Sequence, residues 1–345
     1  MKIAIDISPL ESGHKVRGVG FYLLHLKKAL EEISSPHEFI YFTGTAPGDA
    51  DLVHYPYFDP FFITLPLHKR LPTVITIHDL TPIVFSKHFP SGIKGSLNWQ
   101  LNKKLVRRID HVITDSDSST RDVIKYIGLP DSKVSSVYLA AGEEFRRSSK
   151  TKDLRTKYNL PDKFALYVGD ITWNKNLPRI IQAAEEAEIP LILVGKSITE
   201  KNFDRKNPWN KDRLQVQELL SQAKYAKALG FIDTDDLVGL YNLAAVLMMP
   251  SLYEGFGLPV LEAMQSGCPV ITSKEGSLTE VAGDAAYFVD AYDAESISQG
   301  LITVFKSAKL QAELSKKGLV RARAFSWGKT AAQTLSVYES VLVHK

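Results

Sequence analysis

The sequence predicts an α/β protein built from two doubly wound parallel-sheet domains, and three observations carry that expectation. At 345 residues the chain exceeds the size at which a single hydrophobic core usually stops growing. Short β-branched runs alternate with helical stretches, the grammar of a parallel sheet covered on both faces. That grammar also restarts after a polar, charged stretch from Ala141 to Asp162, which reads as a linker. An N-terminal domain is therefore expected at 1–150, a C-terminal domain at 151–325, and a final helix at 326–345 packing back on the first domain. Domains of this kind would place a ligand cleft between the carboxyl ends of their strands.

The first series has candidate strands at Lys2–Ile7, Glu38–Phe42, Asp51–His54, Thr73–Ile77 and His111–Thr114. Helices fall between them at Phe21–Ile33, around Ser96–Arg108 and at Ser118–Gly128. The second series opens with a strand at Phe164–Val168, a helix at Leu177–Ala187 and a strand at Pro190–Val194. Ser197–Arg213 is polar and rich in Asn and Lys, hence an exposed insertion. A helix at Gln215–Ala226, a strand at Ala228–Phe231 and a helix at Leu237–Ala245 follow. Val246–Met249 is an unbroken apolar run, the pattern of a strand buried on both faces. A helix is expected at Pro259–Ser266, because the fixed φ of Pro259 suits a first turn and its missing N–H costs nothing there. Strands at Pro269–Thr272 and Ala286–Val289 and helices at Ala294–Ser307 and Lys309–Ala324 complete the series.

Composition excludes several classes. Hydrophobic content of 44% and charged content of 23% are those of an ordinary soluble protein. A net charge of +3, with no basic stripe interleaved with aromatics, argues against nucleic acid. Cys268 is the one cysteine and reads as a small buried hydrophobe in a reducing compartment. The opening Met1-Lys-Ile-Ala-Ile-Asp6 reads as a strand rather than a signal peptide, and no apolar run is long enough to span a bilayer. A cytoplasmic protein, at most resting on the inner face of a membrane, is the expectation.

The most informative stretch is Pro250-Ser-Leu-Tyr-Glu-Gly-Phe-Gly-Leu-Pro-Val-Leu-Glu-Ala-Met264. A Gly-rich turn between a strand and a helix aims the amides of Phe256, Gly257 and Leu258, and the positive end of the helix dipole, at one point. That suits a phosphate. Glu254 and Glu262 frame the turn, and carboxylates there would accept hydrogen bonds from hydroxyls of a sugar or ribose. In the same domain the strand Phe164–Val168 ends in Gly169-Asp-Ile-Thr-Trp-Asn-Lys-Asn176, where Lys175 would neutralise a leaving diphosphate. Together these residues describe a cradle for a nucleotide sugar.

Weaker signals lie in the first domain. Arg17-Gly-Val-Gly-Phe21 joins a strand to a helix, and its glycines would let the backbone approach a ligand or would simply form a turn. Position 23 is Leu, so the dinucleotide fingerprint is incomplete and a nicotinamide cofactor is not expected. His78-Asp79 follows a strand; His78 would bond a sugar hydroxyl or phosphate and Asp79 would orient it or an acceptor hydroxyl, unless the pair merely closes a turn. Asp115-Ser-Asp117 resembles a metal-binding Asp-x-Asp, but its place before a helix makes helix capping the better account, as it does for Asp233-Thr-Asp-Asp236. No Cys/His cluster has zinc spacing. Lys103, Lys104, Arg107 and Arg108, with Leu101, Leu105 and Ile109 on another face and Tyr57, Phe58, Phe61 and Phe62 nearby, would attract an anionic membrane. A solvated helix face with ordinary core aromatics is the preferred reading there.

At these residues the chain resembles the GT-B glycosyltransferases of family 4, the retaining "group 1" transferases. Glu254-Gly-Phe-Gly-Leu-Pro-Val-Leu-Glu262 matches that family's Glu-x7-Glu element. The segments Gly267-Cys-Pro-Val-Ile-Thr-Ser273, Glu280-Val-Ala-Gly-Asp284, Tyr167-Val-Gly169 with Lys175-Asn-Leu177, Gly230-Phe-Ile232, His78-Asp79 and Gly18–Gly20 extend the likeness over nearly the whole chain. The resemblance implies two Rossmann-like domains and a catalytic set of His78, Lys175 and Glu254. It implies donor contacts by Gly18, Gly20, Gly169, Asn174, Phe256, Gly257, Leu258 and Glu262. Glu254 would meet the transferred sugar, Glu262 the ribose, Lys175 the diphosphate, and His78 would lie beside the donor sugar. Many members carry an Arg after the glycine of Tyr-Val-Gly or one position before the lysine; here these positions hold Asp170 and Asn174, leaving Arg17 or Arg179 as candidates for a second cation.

The expectation is thus a metal-independent retaining transferase that moves a hexose, mannose favoured, from a GDP- or UDP-sugar. It would need no cofactor, and its acceptor would be a glycan or lipid-linked glycan. A nucleotide-sugar epimerase of the same fold, or a non-catalytic nucleotide- or glycan-binding subunit, are the alternatives.

Overall fold

The computed structural model describes residues 1–11, 18–148, 151 and 153–343. The chain divides into two compact units, residues 1–140 together with the segment from Phe325, and Ala141–Ala324.

The first unit contains β1 (Lys2–Asp6), α1 (Gly18–Glu32), β2 (Glu38–Phe42), β3 (Leu52–Tyr55), β4 (Thr73–Ile77), α2 (Thr81–Val84), α3 (Gly92–Val106), β5 (His111–Thr114), α4 (Asp117–Ile127) and β6 (Val134–Ser136). The six strands form one parallel sheet in the order β2-β1-β3-β4-β5-β6. All five residues of the central β4 are buried, which explains why its sequence Thr-Val-Ile-Thr-Ile does not alternate with polar residues. Edge strand β2 is buried only at Phe42. Sequence reading missed β6, which has three residues and two serines, too little β-branched content to stand out; the ladder Val112↔Val134 to β5 defines it.

The second unit contains α5 (Leu154–Lys157), β7 (Ala165–Val168), α6 (Leu177–Glu186), β8 (Leu191–Val194), α7 (Lys196–Thr199), α8 (Lys211–Gln222), β9 (Ala226–Gly230), α9 (Thr234–Leu243), β10 (Val246–Met249), α10 (Leu258–Gln265), β11 (Val270–Thr272), α11 (Leu278–Ala282), β12 (Tyr287–Phe288), α12 (Ala294–Lys306) and α13 (Ala308–Ala322). Its parallel sheet runs β12-β11-β10-β7-β8-β9. Counted within the domain this is the doubly wound order 3-2-1-4-5-6, and its direction reverses between β7 and β10. Ligands of such sheets bind where the order reverses, so the loops after β7 and β10 become the place to look. The core beneath is built from Ala165, Tyr167, Leu191, Leu193, Val246, Met248 and Ile271 on the strands, with Ile180, Ile181, Ile297 and Leu301 on the covering helices.

Helix α14 (Trp327–Val343) belongs to the first unit. The indole of Trp327 stacks on His25 of α1, ring centroids 5.1 Å apart. Tyr338 Oη lies 2.7 Å from His54 Nδ1, and His54 Nε2 lies 2.8 Å from Thr76 Oγ1. Burial pushes the pKa of His54 down to about 3, so this imidazole stays neutral and serves as a buried hydrogen-bonding link between α14 and the sheet.

Three expectations change. The stretch from Ala141 is not a free linker: Ala141, Phe145 and Leu154 are buried, and the Phe145 ring lies 5.8 Å from that of Tyr241, so the second unit begins at Ala141. The exposed insertion Ser197–Arg213 contains α7 and the start of α8. Within it Arg213 is buried, bonded to Glu200 Oε2 at 2.7 Å and placed over the Phe203 ring at 4.0 Å. The helix expected at Gln215–Ala226 sits earlier, and β9 starts at Ala226. The Glu185 carboxylate accepts the N–H groups of Lys224, Tyr225 and Ala226 at 2.8 to 3.0 Å, so the helix ends before them and the strand starts at Ala226.

Candidate active site

In the second unit two loops at the reversal point are joined by a seam of hydrogen bonds. Leu252 N donates to Asn174 O at 2.7 Å, and Asn174 Nδ2 donates to Tyr253 O at 3.0 Å. Asn176 Nδ2 donates to Pro250 O at 2.9 Å and to Ala291 O at 2.7 Å. Asn176 has φ 60°, a left-handed conformation that asparagine tolerates better than most residues. Between these two anchors Lys175 ends the short turn Trp173–Lys175, and its Nζ donates to both carboxylate oxygens of Glu254 at 2.8 Å. Sequence reading named Lys175 and Glu254 separately, 79 residues apart, and folding brings them into one ion pair. The side chain of Lys175 is 22% exposed and that of Glu254 only 7%.

Asn174, expected among the donor contacts, joins the two loops through its side chain: Nδ2 donates to Tyr253 O and Oδ1 accepts from Thr172 Oγ1 at 2.8 Å. Gly169 directly follows β7, and its N–H donates to Val194 O at 2.9 Å. Asp170, which stands where relatives of the resembled family often have arginine, accepts from Ser197 Oγ at 2.9 Å and ties α7 to this loop. Arg179 donates to Asn176 Oδ1 at 2.8 Å, and Arg17 lies outside the described residues.

The turn after β10 leads into α10 through Gly257, whose φ of 100° is open to glycine and few other residues. Val260 N donates to Gly257 O at 2.9 Å, and the amides that open α10 share the positive end of its dipole. A second loop closes behind the turn. Ser277 N donates to Glu254 O at 3.1 Å, and the Ser277 hydroxyl lies 3.0 Å from Glu254 O and 2.8 Å from Phe256 O. Neighbouring Gly276 has φ 61°, and a Cβ there would lie 2.4 Å from Glu254 O. Only a glycine lets the two backbones approach this closely.

Glu262 is buried on α10 and accepts a hydrogen bond from Tyr241 Oη at 2.8 Å. Burial pushes its pKa up to about 7; the Tyr241 hydroxyl opposes this and the nearby Glu144 adds to it. The native carboxyl therefore holds its proton to higher pH than the unfolded chain does. The stability this gives is complete below an ordinary pKa of 4.5 and is lost as pH rises through 7. The loss amounts to about 3 kcal/mol. Urea unfolding at acidic and at mildly alkaline pH is expected to show this decline in the native chain, and Glu262→Gln should flatten it by a similar amount. An unchanged pH dependence in that variant would remove the ionisation from Glu262.

The first unit carries its own group of polar residues on the carboxyl edge of β4 and β5. His78 was expected to be oriented by Asp79, but Asp79 Oδ1 accepts from Thr81 N at 2.8 Å. The partner is Asp115: His78 Nδ1 lies 2.8 Å from Asp115 Oδ2, and Nε2 lies 3.2 Å from Pro56 O. Burial opposes a charged His78, yet the adjacent Asp115 carboxylate outweighs it and raises the imidazole pKa above its ordinary value. Asp115 was read as a helix cap. In the structure Ser116 caps α4, its Oγ accepting from Ser119 N at 3.0 Å, which leaves Asp115 free to face His78. The other oxygen of Asp115 is buried and has no hydrogen-bond partner among the described residues. Asp115 is thus a functional candidate that sequence reading missed. Its signal was position, one residue past β5 as His78 is one residue past β4. Tyr22 of α1 meets the His78 ring edge-on at 4.8 Å. Gly18 and Gly20, expected in a loop, already lie in the first turn of α1. Asp233, by contrast, does cap α9, accepting from Asp236 N at 2.9 Å.

The family described as "Glycosyl transferases group 1" matches residues 150–321, and that described as "Glycosyltransferase Family 4" matches residues 45–140. The O-antigen chain mannosyltransferase B of Escherichia coli is 30% identical over 302 residues, which cover 84% of this chain and 75% of that protein. The chain belongs to the group 1 glycosyltransferases. This glycosyltransferase is also 30% identical to the serotype-specific mannosyltransferase WbdA of Escherichia coli, over 82% of its own length but 35% of WbdA. Its two sheets superpose on Anabaena HepE, solved in complex with UDP-glucose, with a TM-score of 0.74 at 19% identity over 99% of this chain and all of that one. The glycosyltransferase therefore has the GT-B fold.

Proposed function

We propose that this glycosyltransferase is a retaining, metal-independent hexosyltransferase that takes mannose from a nucleotide-diphosphate sugar, GDP-mannose first and a UDP-sugar second. The observation that carries the reading is the Lys175–Glu254 pair, set where the sheet order reverses and beside the opening amides of α10. In this reading the ammonium of Lys175 and the amides of Gly257 and Leu258 hold the diphosphate. Glu254 accepts hydroxyls of the hexose, and Glu262 accepts those of the ribose. The bond from the anomeric carbon to the diphosphate oxygen breaks, and an acceptor hydroxyl oxygen bonds to that carbon on the same face. Its proton passes to the departing diphosphate, so no enzymatic nucleophile is required. On the first domain His78 is held through Nδ1 by Asp115 and through Nε2 by Pro56 O. The names of the E. coli relatives support mannose and a glycan acceptor, and the UDP-glucose complex of HepE supports a nucleotide-sugar donor.

The test is transfer from GDP-mannose, UDP-glucose and UDP-galactose to mannose oligosaccharides in the presence of EDTA, with the product's anomeric configuration read by NMR. The expected result is an α-linked mannoside formed from GDP-mannose. A thermal-shift panel run alongside should show the matching nucleotide adding about 2.7 kcal/mol at roughly 100 times its Kd. An inverted product, or activity only after metal is restored, would overturn the mechanism.

A further inference from the structure

Helix α3 is apolar on two faces. One face packs on its own domain through Gly95, Asn102, Leu105 and Val106. On the other, Ile93, Leu97 and Leu101 recur every fourth residue and form one stripe pointing to solvent; Ile93 is 83% exposed and Leu97 66%. A second exposed apolar set lies alongside. Phe62 is 66% exposed, and Ile63 and Leu67 are exposed with it. The two sets are held side by side, because Asn98 Nδ2 donates to Phe61 O at 2.8 Å and Asn102 Nδ2 to Phe62 O at 2.8 Å. Single exposed apolar residues are ordinary, but a contiguous patch of this kind marks an interaction surface. Sequence reading set the face differently, since Leu105, Ile109 and Phe58 are core residues and the outward stripe begins at Ile93.

Charge identifies the occupant. Residues 59–110 contain eight Lys or Arg and three acids, Asp59, Asp79 and Asp110, in a chain whose net charge is only +3. Asp59 accepts the N–H groups of Phe61 and Phe62. Asp79 accepts from Thr81 N, and Lys69 is neutralised by Asp110 at 2.6 Å. Lys94 and Lys104 on α3, and Arg108 just beyond it, are exposed. A second copy of so basic a face would repel the first, whereas an anionic bilayer offers both negative headgroups and an apolar layer below them. We propose that the stripe Ile93-Leu97-Leu101, with Phe62 and Leu67, docks on an anionic lipid bilayer, its apolar side chains entering the boundary beneath the headgroups and its lysines and arginines meeting the phosphates. The helix lies on the surface; among the described residues no helix is long and apolar enough to cross a membrane. This inference is independent of the donor assigned above.

Flotation of the whole chain with vesicles tests it, using phosphatidylcholine alone and with about 30% phosphatidylglycerol. The protein should float with the anionic vesicles at low ionic strength and detach at roughly 0.5 M salt. The triple variant Ile93→Ser, Leu97→Ser, Leu101→Ser should lower the bound fraction at least tenfold. Lys94→Glu with Lys104→Glu should remove the preference for anionic lipid by a similar factor. All these positions are exposed, so melting temperatures should stay near that of the native chain. Native protein remaining in the supernatant with anionic vesicles would overturn the proposal, as would variants that float like the native chain. A concentration-dependent dimer abolished by Leu97→Ser, without flotation, would overturn it in favour of self-association.

Discussion

Lys175→Ala is expected to lower kcat/KM by about 10² to 10³-fold, the usual consequence of removing one preorganised donor from developing charge. Stability should fall as well. The substitution strands the Glu254 carboxylate, whose side chain is 7% exposed, without the Lys175 ammonium that pairs with it. Breaking a buried pair costs about 3–5 kcal/mol, and the 22% exposure of Lys175 places this case toward or below the lower end. Glu254→Gln should cost activity to a similar extent but less stability, because an amide tolerates burial better than an orphaned charge. The double variant separates the two effects. It should recover stability relative to Lys175→Ala while remaining inactive, giving a coupling energy in unfolding but none in rescue of transfer. Native-like transfer by either single variant would refute the site. Stability effects that simply add would refute the pair.

The second large effect is expected at a residue that touches no substrate. In Gly276→Ala the new methyl would sit 2.4 Å from Glu254 O and 2.8 Å from Glu254 N, both backbone atoms that cannot rotate away. The backbone of Glu254 must move, the two hydrogen bonds from Ser277 to Glu254 O must lengthen, and the φ of 61° is strained for alanine. A destabilisation of about 1–3 kcal/mol is expected. Displacing a catalytic group by about 1 Å costs about 10²-fold in rate. Ser277→Ala is the control: it removes the hydroxyl without the clash, and should lose stability with a much smaller fall in kcat. Equal kcat losses in the two variants would mean that Glu254 is not held by this close approach.

Much of this architecture was legible in the residues. The run Val246–Met249, Pro259 at the start of a helix and the Gly-rich turn between them are local signals, and local φ/ψ preference decides them. The apolar strands Thr73–Ile77 and His111–Thr114 were found with their observed bounds because buried parallel strands are unbroken β-branched runs. Boundaries set by distant partners were missed. The start of β9 depends on Glu185, 41 residues away at Ala226, and the buried position of Arg213 depends on Glu200 and Phe203. Asp115 looked like a cap because a single sequence shows only its neighbours in the chain, and Ser116 satisfies the same capping rule.

By itself, then, the sequence determined the two parallel-sheet series and the Gly-rich turn that leads into α10, and it singled out Lys175, Glu254, Glu262 and His78. Each follows from chemistry within a few residues of chain. Tertiary structure alone decided which groups meet. The reversal of strand order between β7 and β10 pairs Lys175 with Glu254, burial keeps the proton on Glu262 against the hydrogen bond from Tyr241, Asp115 rather than Asp79 holds His78, and α3 turns an apolar stripe outward. Pairing, burial and exposure arise from contacts between segments far apart in the chain, and those contacts exist only once the sheets have assembled.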